Sequence, residues 1–84
     1  MSIKVLYFAS LRETLGYSHE TLTLPGTIDT VAALRGHLAK RGGAWEALQE
    51  GGNVRAAINQ EMVGPEAPVR DRDEIAFFPP VTGG

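Results

Sequence analysis

Two short and almost wholly apolar segments lie at opposite ends of this 84-residue chain, and they constrain its fold more than any other feature. Ile3–Ala9 and Glu74–Phe78 are rich in β-branched and aromatic residues, as buried strands usually are. A helical pattern lies between them in the chain. Because two strands that bracket a crossover helix tend to pair in parallel, we predict that these strands lie side by side in the centre of one sheet.

The intervening sequence predicts the other elements of one domain. Tyr17–Leu24 is a second predicted strand, in which Thr21 and Thr23 alternate with Leu22 and Leu24, as is typical of an edge or half-exposed strand. Val31, Leu34 and Leu38 fall at helical spacing and form an apolar stripe suited to packing on one face of a sheet. The remaining predicted elements are a helical turn over Ser10–Gly16 capped by Ser10, the main helix from Asp29 or Thr30 to near Arg41, a short helix over Ala44–Glu50, strands over Val54–Ile58 and Met62–Val63 with an Asn59-Gln60 turn between them, and an Asp71-Arg72-Asp73 turn.

The order of these elements, β-β-α-β-β, predicts the fold class. It indicates an α+β domain of the ubiquitin-like, or β-grasp, type: a mixed sheet of four or five strands with one main helix packed on one face and short extra helices. We place this domain at residues 1–78 and expect residues 79–84 to form a projecting, flexible tail. A chain of this length has little room for both a core and a deep catalytic pocket, which favours a carrier or a binding module.

The composition excludes several classes of function. Eight basic and ten acidic residues leave a net charge of −2, so no electrostatic footprint for nucleic acid is present, and no basic amphipathic or long apolar segment indicates a membrane. Without cysteine the chain has no disulfide, thiolate metal site or cysteine nucleophile. His19 and His37 are isolated, so we predict no metal site. A soluble cytoplasmic protein is expected, because no signal-peptide pattern begins the chain.

The last six residues carry the most distinctive chemistry. Pro79 and Pro80 end the last strand, because neither can donate a hydrogen bond to a neighbouring strand, and an extended segment of this length reaches roughly 20 Å. Gly83 and Gly84 lack side chains and can enter a channel that is too narrow for other residues. The Gly84 carboxylate is then open to activation as an acyl-adenylate, which accepts sulfur or an amine. A diglycine alone is weak support, since a frayed terminus is the alternative.

The C-terminal octet Phe77–Gly84 (FFPPVTGG) resembles the end of the small, sulfur-carrying subunits of molybdopterin synthases. This octet is the most specific part of a similarity that spans nearly the whole chain. One departure is Arg72, since the family usually has glycine at that position. The other similar segments are Ile3–Ala9 with Leu11–Glu13, Thr30–Leu38, Ala57–Gln60 and Asp71–Ala76.

The resemblance implies a sulfur carrier that is not an enzyme by itself. In the family, an E1-like enzyme uses ATP to adenylate the terminal glycine, here Gly84, and a sulfurtransferase then converts it to a thiocarboxylate. The large synthase subunit accepts the tail, including Gly83, and sulfur moves to cyclic pyranopterin monophosphate to form the dithiolene of molybdopterin. Carriers and large subunits usually form a heterotetramer. The carrier itself is expected to bind no cofactor or metal stably.

Partner-binding residues are predicted on the strand faces that point away from the main helix. Alternation puts Phe8 and Phe78 on those faces, and Met62 is expected to join them in an exposed apolar patch. The resemblance implies that Arg12 pairs with a partner carboxylate. The alternatives are that the apolar side chains belong to the core and that Arg12 is a solvated residue at a helix end. The tail residues that complete the predicted set are Pro79, Pro80, Val81 and Thr82.

Three other functions fit many of the same residues. A sulfur carrier for thiamine or cysteine synthesis would share the fold, but such carriers usually lack the double proline of this tail. A ubiquitin-like protein modifier would be joined to lysines through Gly84. A β-grasp interaction module would have an inert tail. The product, an isopeptide-linked adduct or a free thiocarboxylate, distinguishes a modifier from a carrier.

Overall fold

A mixed sheet of five strands forms the centre of the molecule. The computed structural model describes residues 1–49 and 53–79, so the predicted helix end at Glu50 and the tail residues 80–84 lie outside the described residues. The strands are β1 (Ser2–Tyr7), β2 (His19–Thr23), β3 (Arg55–Ile58), β4 (Glu61–Val63) and β5 (Glu74–Phe78). The helices are α1 (Ala9–Leu15), α2 (Val31–Ala39) and a 3₁₀ helix over Gly43–Leu48. In this part of the chain, no helix is long and apolar enough to cross a membrane.

The order of strands across the sheet is β2-β1-β5-β3-β4, which places the first and last strands of the chain side by side. β1 and β5 run parallel, with Val5 opposite Ile75 and Tyr7 opposite Phe77. β2 lies antiparallel to β1 at one edge, and β3 and β4 form an antiparallel hairpin on the other side of β5. The predicted central parallel pair and the predicted edge position of β2 are both confirmed. This is the α+β, β-grasp arrangement that the order of elements indicated.

One face of the sheet and α2 enclose the hydrophobic core. Ile3, Val5 and Tyr7 are buried and the intervening Lys4 is exposed, as the alternation along β1 predicted. The apolar stripe of α2 packs against the same face of the sheet. The large apolar side chains that α2 and β5 bury in this core are Val31, Leu34, Leu38, Ile75 and Phe77. Burying each large apolar side chain stabilises the fold by about 1.5–3 kcal/mol, so this layer supplies most of the driving force for folding.

The two helices begin differently, and only one start was predicted correctly. At α2, the Thr30 hydroxyl oxygen accepts a hydrogen bond from the backbone N–H of Ala33 at 3.1 Å, which confirms Thr30 as the cap. The prediction that Ser10 caps the first helix is wrong. α1 begins at Ala9, whose φ of 55° turns the chain sharply at the end of β1, and Phe8 occupies the N-cap position without a side-chain cap. Ser10 therefore lies inside the helix.

Two tight turns place residues in the left-handed region of backbone conformation. Asn59 and Gln60 have φ values of 49° and 73°, which confirms the predicted turn between β3 and β4. Arg72 has a φ of 70° in the turn before β5. Asn59 also joins the two turns, because its side-chain amide donates to the Asp73 carboxylate at 3.0 Å and its amide oxygen accepts from the Glu74 N–H at 3.1 Å. These contacts hold the β3–β4 hairpin beside the start of β5.

A polar network ties the end of α2 to the edge of the sheet. The Tyr7 hydroxyl donates a hydrogen bond to Glu20 at 2.7 Å, and the Arg41 guanidinium donates two to the same carboxylate at 2.9 and 3.0 Å. The guanidinium carbon lies 4.3 Å from the ring centroid of Trp45 in the 3₁₀ helix. α2 ends at Ala39 with Lys40 as its C-cap, two residues before the predicted end near Arg41. Arg41 therefore lies just beyond the helix and connects it to β2.

Burial and these hydrogen bonds change the proton affinities of the network. Burial raises the pKa of Tyr7 well above its usual value, and the hydrogen bond to Glu20 adds to that effect. Burial also acts to raise the pKa of Glu20, but the hydrogen bonds from Arg41 and Tyr7 outweigh it and lower that pKa below its usual value. At neutral pH, Glu20 is therefore a charged acceptor for both donors.

We expect Glu20→Gln to lower the free energy of unfolding at neutral pH by about 1–3 kcal/mol, because a charged acceptor of several hydrogen bonds is lost. A carboxyl group with a lowered pKa in the folded state stabilises the fold above its unfolded-state pKa. That contribution disappears as the pH falls through the folded-state value. Urea denaturation at a series of pH values should therefore show the difference between wild type and Glu20→Gln closing in acid. Glu66→Gln, at an exposed loop position, is the matched control, and an equal loss in both variants would contradict the prediction.

Candidate functional site

The face of the sheet that α2 leaves uncovered is the candidate site, and we call it the open face. Its side chains alternate with core side chains along each strand. The strand register aligns one apolar row across four strands, formed by Leu6, Ala76, Ala57 and Met62. The middle of the open face is therefore apolar.

Two phenylalanines lie at the end of the open face where β5 finishes. The Phe8 backbone N–H donates a hydrogen bond to the Phe77 carbonyl at 3.1 Å, which brings Phe8 alongside Phe78, the last residue of β5. Phe8 is 45% exposed and Phe78 is half-buried, whereas Phe77 is fully buried on the helix side. Met62 is 60% exposed. The structure thus places Phe8, Phe78 and Met62 on the open face as expected, and their role in partner binding stays a prediction.

The chain leaves the sheet from its centre. Pro79 directly follows β5 and is half-buried. Because β5 has β1 on one side and β3 on the other, the segment that begins at Pro79 starts between two strands and not at an edge. The other predicted tail residues, Pro80, Val81, Thr82, Gly83 and Gly84, lie outside the described residues.

Two arginines flank the phenylalanines. The Arg12 backbone N–H donates to the Phe8 carbonyl at 3.3 Å, so Arg12 lies one helical turn after Phe8. Arg55 lies opposite Phe78 in the β3–β5 pair. Both side chains are exposed, and within residues 1–49 and 53–79 neither forms a side-chain hydrogen bond or ion pair. Arg55 is not among the residues predicted from the sequence, because only the register of β3 against β5 reveals its position.

The open face is suited to docking a protein. An apolar patch with exposed aromatic and methionine side chains and flanking arginines has the composition of a protein interface. The two acids with displaced pKa values, Tyr7 and Glu20, bind each other on the helix side of the sheet. His19 and His37 are both exposed. In the part of the chain that the structure describes, no group of three metal-binding side chains could hold a metal ion.

Comparison with known proteins identifies the family. The model of the ThiS family matches residues 5–84. The chain belongs to the ThiS family. This ThiS-family chain is 45% identical over 82 residues to the molybdopterin synthase sulfur carrier subunit of Escherichia coli, across 98% of this chain and 99% of that protein. It is 44% identical over 82 residues to the subunit of the same name from Haemophilus influenzae, with the same 98% and 99% coverage.

Solved structures confirm the β-grasp fold of this ThiS-family chain. The crystal structure of SAMP1 from Haloferax volcanii superposes with a TM-score of 0.79 at 27% sequence identity, covering 100% of both chains. The solution structure of the small archaeal modifier protein 1 from Methanosarcina acetivorans gives a TM-score of 0.77 at 27% identity, covering 99% of this chain and 96% of that chain. The same fold therefore occurs in a protein that is named as a modifier.

We expect the two faces of the sheet to respond differently to truncation. Phe77→Ala should lower the free energy of unfolding by about 3–5 kcal/mol, because it opens a cavity in the core where Phe77 stacks on Tyr7. Met62→Ala should lower it by less than about 0.5 kcal/mol, since most of that side chain is already in water. Urea denaturation of both variants measures the difference. A large loss in Met62→Ala would place Met62 in the core and remove it from the open face.

Proposed function

We propose that this chain is the sulfur carrier subunit of a molybdopterin synthase. The observation that carries the proposal is that the chain is 45% and 44% identical to two bacterial proteins of that name. Each comparison covers nearly the full length of both proteins. The structure supports it with a rigid sheet whose central strand leads directly into the tail. The proposed location is the cytoplasm, where the soluble proteins that take part in this chemistry would meet.

Sulfur is carried on the terminal carboxyl group of Gly84 in this proposal. An E1-like enzyme joins that carboxylate to the AMP part of ATP with release of pyrophosphate. Sulfur at the oxidation level of sulfide, supplied by a sulfurtransferase, then displaces AMP to give a thiocarboxylate. Because the chain has no cysteine, no thiol of its own competes for the activated carbonyl or carries the sulfur. ATP is a substrate of the activating enzyme, and the carrier itself holds no cofactor stably.

The large synthase subunit is the proposed recipient of the tail. Gly83 and Gly84 pass through a channel that excludes side chains, while Pro79, Pro80, Val81 and Thr82 contact the entrance. The large subunit supplies the acids, bases and binding groups for the pterin. Each Gly84 thiocarboxylate passes one sulfur to cyclic pyranopterin monophosphate, and water then cleaves the acyl–sulfur bond and returns the carrier to its carboxylate form. Two carriers therefore supply the two sulfurs of the molybdopterin dithiolene. Two carriers and two large subunits form the proposed heterotetramer.

The likeness to small archaeal modifier proteins favours a second candidate function. A modifier would use the same activated Gly84 carboxyl group, but a lysine amine of a target protein would attack it in place of sulfur. The product is then an isopeptide bond and not a thiocarboxylate. The higher identity to named sulfur carriers, 45% against 27%, makes the carrier the preferred function.

We expect one alanine added after Gly84 to abolish sulfur transfer without affecting the fold. The added residue moves the carboxyl group away from the diglycine end, and its methyl group obstructs a channel built for glycine. Molybdopterin formation should be measured with purified large subunit, activating enzyme, sulfur source and pyranopterin substrate. Thermal unfolding of the extended chain should match wild type. Full molybdopterin formation by the extended chain would contradict the role of the terminal carboxyl group.

We expect Phe8→Ala to weaken binding to the large subunit by about tenfold or more, because exposed aromatic residues at the centre of an interface contribute strongly to affinity. Tyr17→Ala is the matched control, since Tyr17 is 49% exposed and Phe8 is 45% exposed, but Tyr17 packs on Trp45 away from the open face. Calorimetric titration of each variant with the large subunit tests this. Equal weakening by both substitutions, or none by Phe8→Ala, would exclude the open face as the docking surface.

A further inference from the structure

The register of the sheet places Arg55 beside the exit of the tail. Arg55 is the first residue of β3 and lies opposite Phe78, the last residue of β5. The next residue, Ala56, is buried on the helix side, so Arg55 shares the open face with Phe78. Its exposed side chain therefore stands next to the point from which Pro79 leaves the sheet.

The guanidinium of Arg55 is not used by the part of the fold that the structure describes. Arg41 pairs with Glu20, and Arg35 donates to the Leu48 carbonyl at the end of the 3₁₀ helix. Across residues 1–49 and 53–79, by contrast, the Arg55 side chain has neither a hydrogen bond nor an ion pair. Among the described residues, therefore, nothing occupies the donors with which an arginine can form a two-pronged hydrogen bond to a carboxylate.

The charge of Arg55 stands out against the rest of the chain. The protein has a net charge of −2, yet Arg12 and Arg55 lie on either side of Phe8 and Phe78 at the tail exit. Two exposed arginines therefore lie near the tail exit of a protein whose net charge is negative. Exposed charges at the rim of an interface mainly set the association rate and the choice of partner.

We propose that Arg55 is a specificity-determining residue for docking, whose guanidinium pairs with a carboxylate at the rim of the tail-receiving site of the large synthase subunit. The inference rests on the proposed function, which supplies the large subunit as the occupant of the open face. An apolar patch alone accepts several orientations of a partner, because hydrophobic attraction is not directional. A charge pair beside Phe78 selects the orientation in which Pro79 faces the receiving site.

The test measures association of the full chain with purified large subunit by stopped flow at low and high ionic strength. The variants are Arg55→Gln, which removes the charge, and Arg55→Glu, which reverses it. Arg72→Glu is the matched control, because it makes the same charge reversal at a side chain that is 92% exposed and lies before the opposite end of β5, 3.9 Å from the Asp71 carboxylate. Thermal unfolding is measured for all three, and it should be unchanged in the two Arg55 variants, since Arg55 contributes neither to the core nor to an ion pair among the described residues.

We expect Arg55→Glu to slow association by about tenfold or more at low salt, with Arg55→Gln intermediate and Arg72→Glu within about twofold of wild type. The differences should shrink at high salt, because screening weakens the attraction between exposed charges. If wild type binds but Arg55→Glu and Arg72→Glu associate equally fast, the role of Arg55 is wrong and the proposed function stands. If wild type does not bind the large subunit, the proposed function fails and this inference fails with it.

Discussion

The parallel pairing of β1 with β5 is the constraint on which the rest of the structure depends. It joins the two ends of the chain in the middle of the sheet, with Val5 opposite Ile75 and Tyr7 opposite Phe77. One consequence is a core built from both strands and α2. The other consequence is that β5 is hydrogen-bonded to β1 on one side and to β3 on the other, so the segment that begins at Pro79 is anchored to the centre of the sheet. A reactive terminus that must reach into another protein benefits from such an anchor, since its starting position does not depend on the segment that follows.

The two faces of this sheet serve different purposes. On the helix side, large apolar side chains are fully buried, and the one cluster of strongly coupled polar groups described there, Tyr7, Glu20 and Arg41, is satisfied internally. On the open face, Phe8 and Met62 keep much of their surface in water. Burying apolar surface stabilises a protein by about 25 cal/mol for each square ångström, and the exposed part of these side chains does not contribute this free energy to folding. A partner that covers the open face would bury this surface and gain the free energy on binding, as a docking surface requires.

Local sequence patterns predicted the parts of the fold that depend on neighbouring residues. The alternation in β1, the stripe of α2 and the Thr30 cap are properties of short segments, and the structure confirms them. The predicted cap at Ser10 was wrong, because the position of a helix cap depends on the path of the chain. The turn at Ala9 makes that residue the first of α1, so Ser10 lies inside the helix. The candidate site shows the same division. The positions of Phe8 and Phe78 on the open face were predicted from the alternation along their strands. The position of Arg55 is visible only from the register of β3 against β5. The link between Arg41 and Glu20 joins segments far apart in the chain, and no local pattern contains it.

The intact mass of the protein shows whether the terminal carboxyl group of Gly84 carries sulfur. The full chain should be produced in a cell that contains the activating enzyme and a sulfur source, and then compared with the same chain produced without the activating enzyme. In the presence of the activating enzyme, we expect the mass to increase by the difference between one sulfur and one oxygen atom. Fragmentation should locate this increase at the C-terminus. An unmodified terminus under both conditions, or a terminus found only in isopeptide linkage to lysines of other proteins, would contradict it.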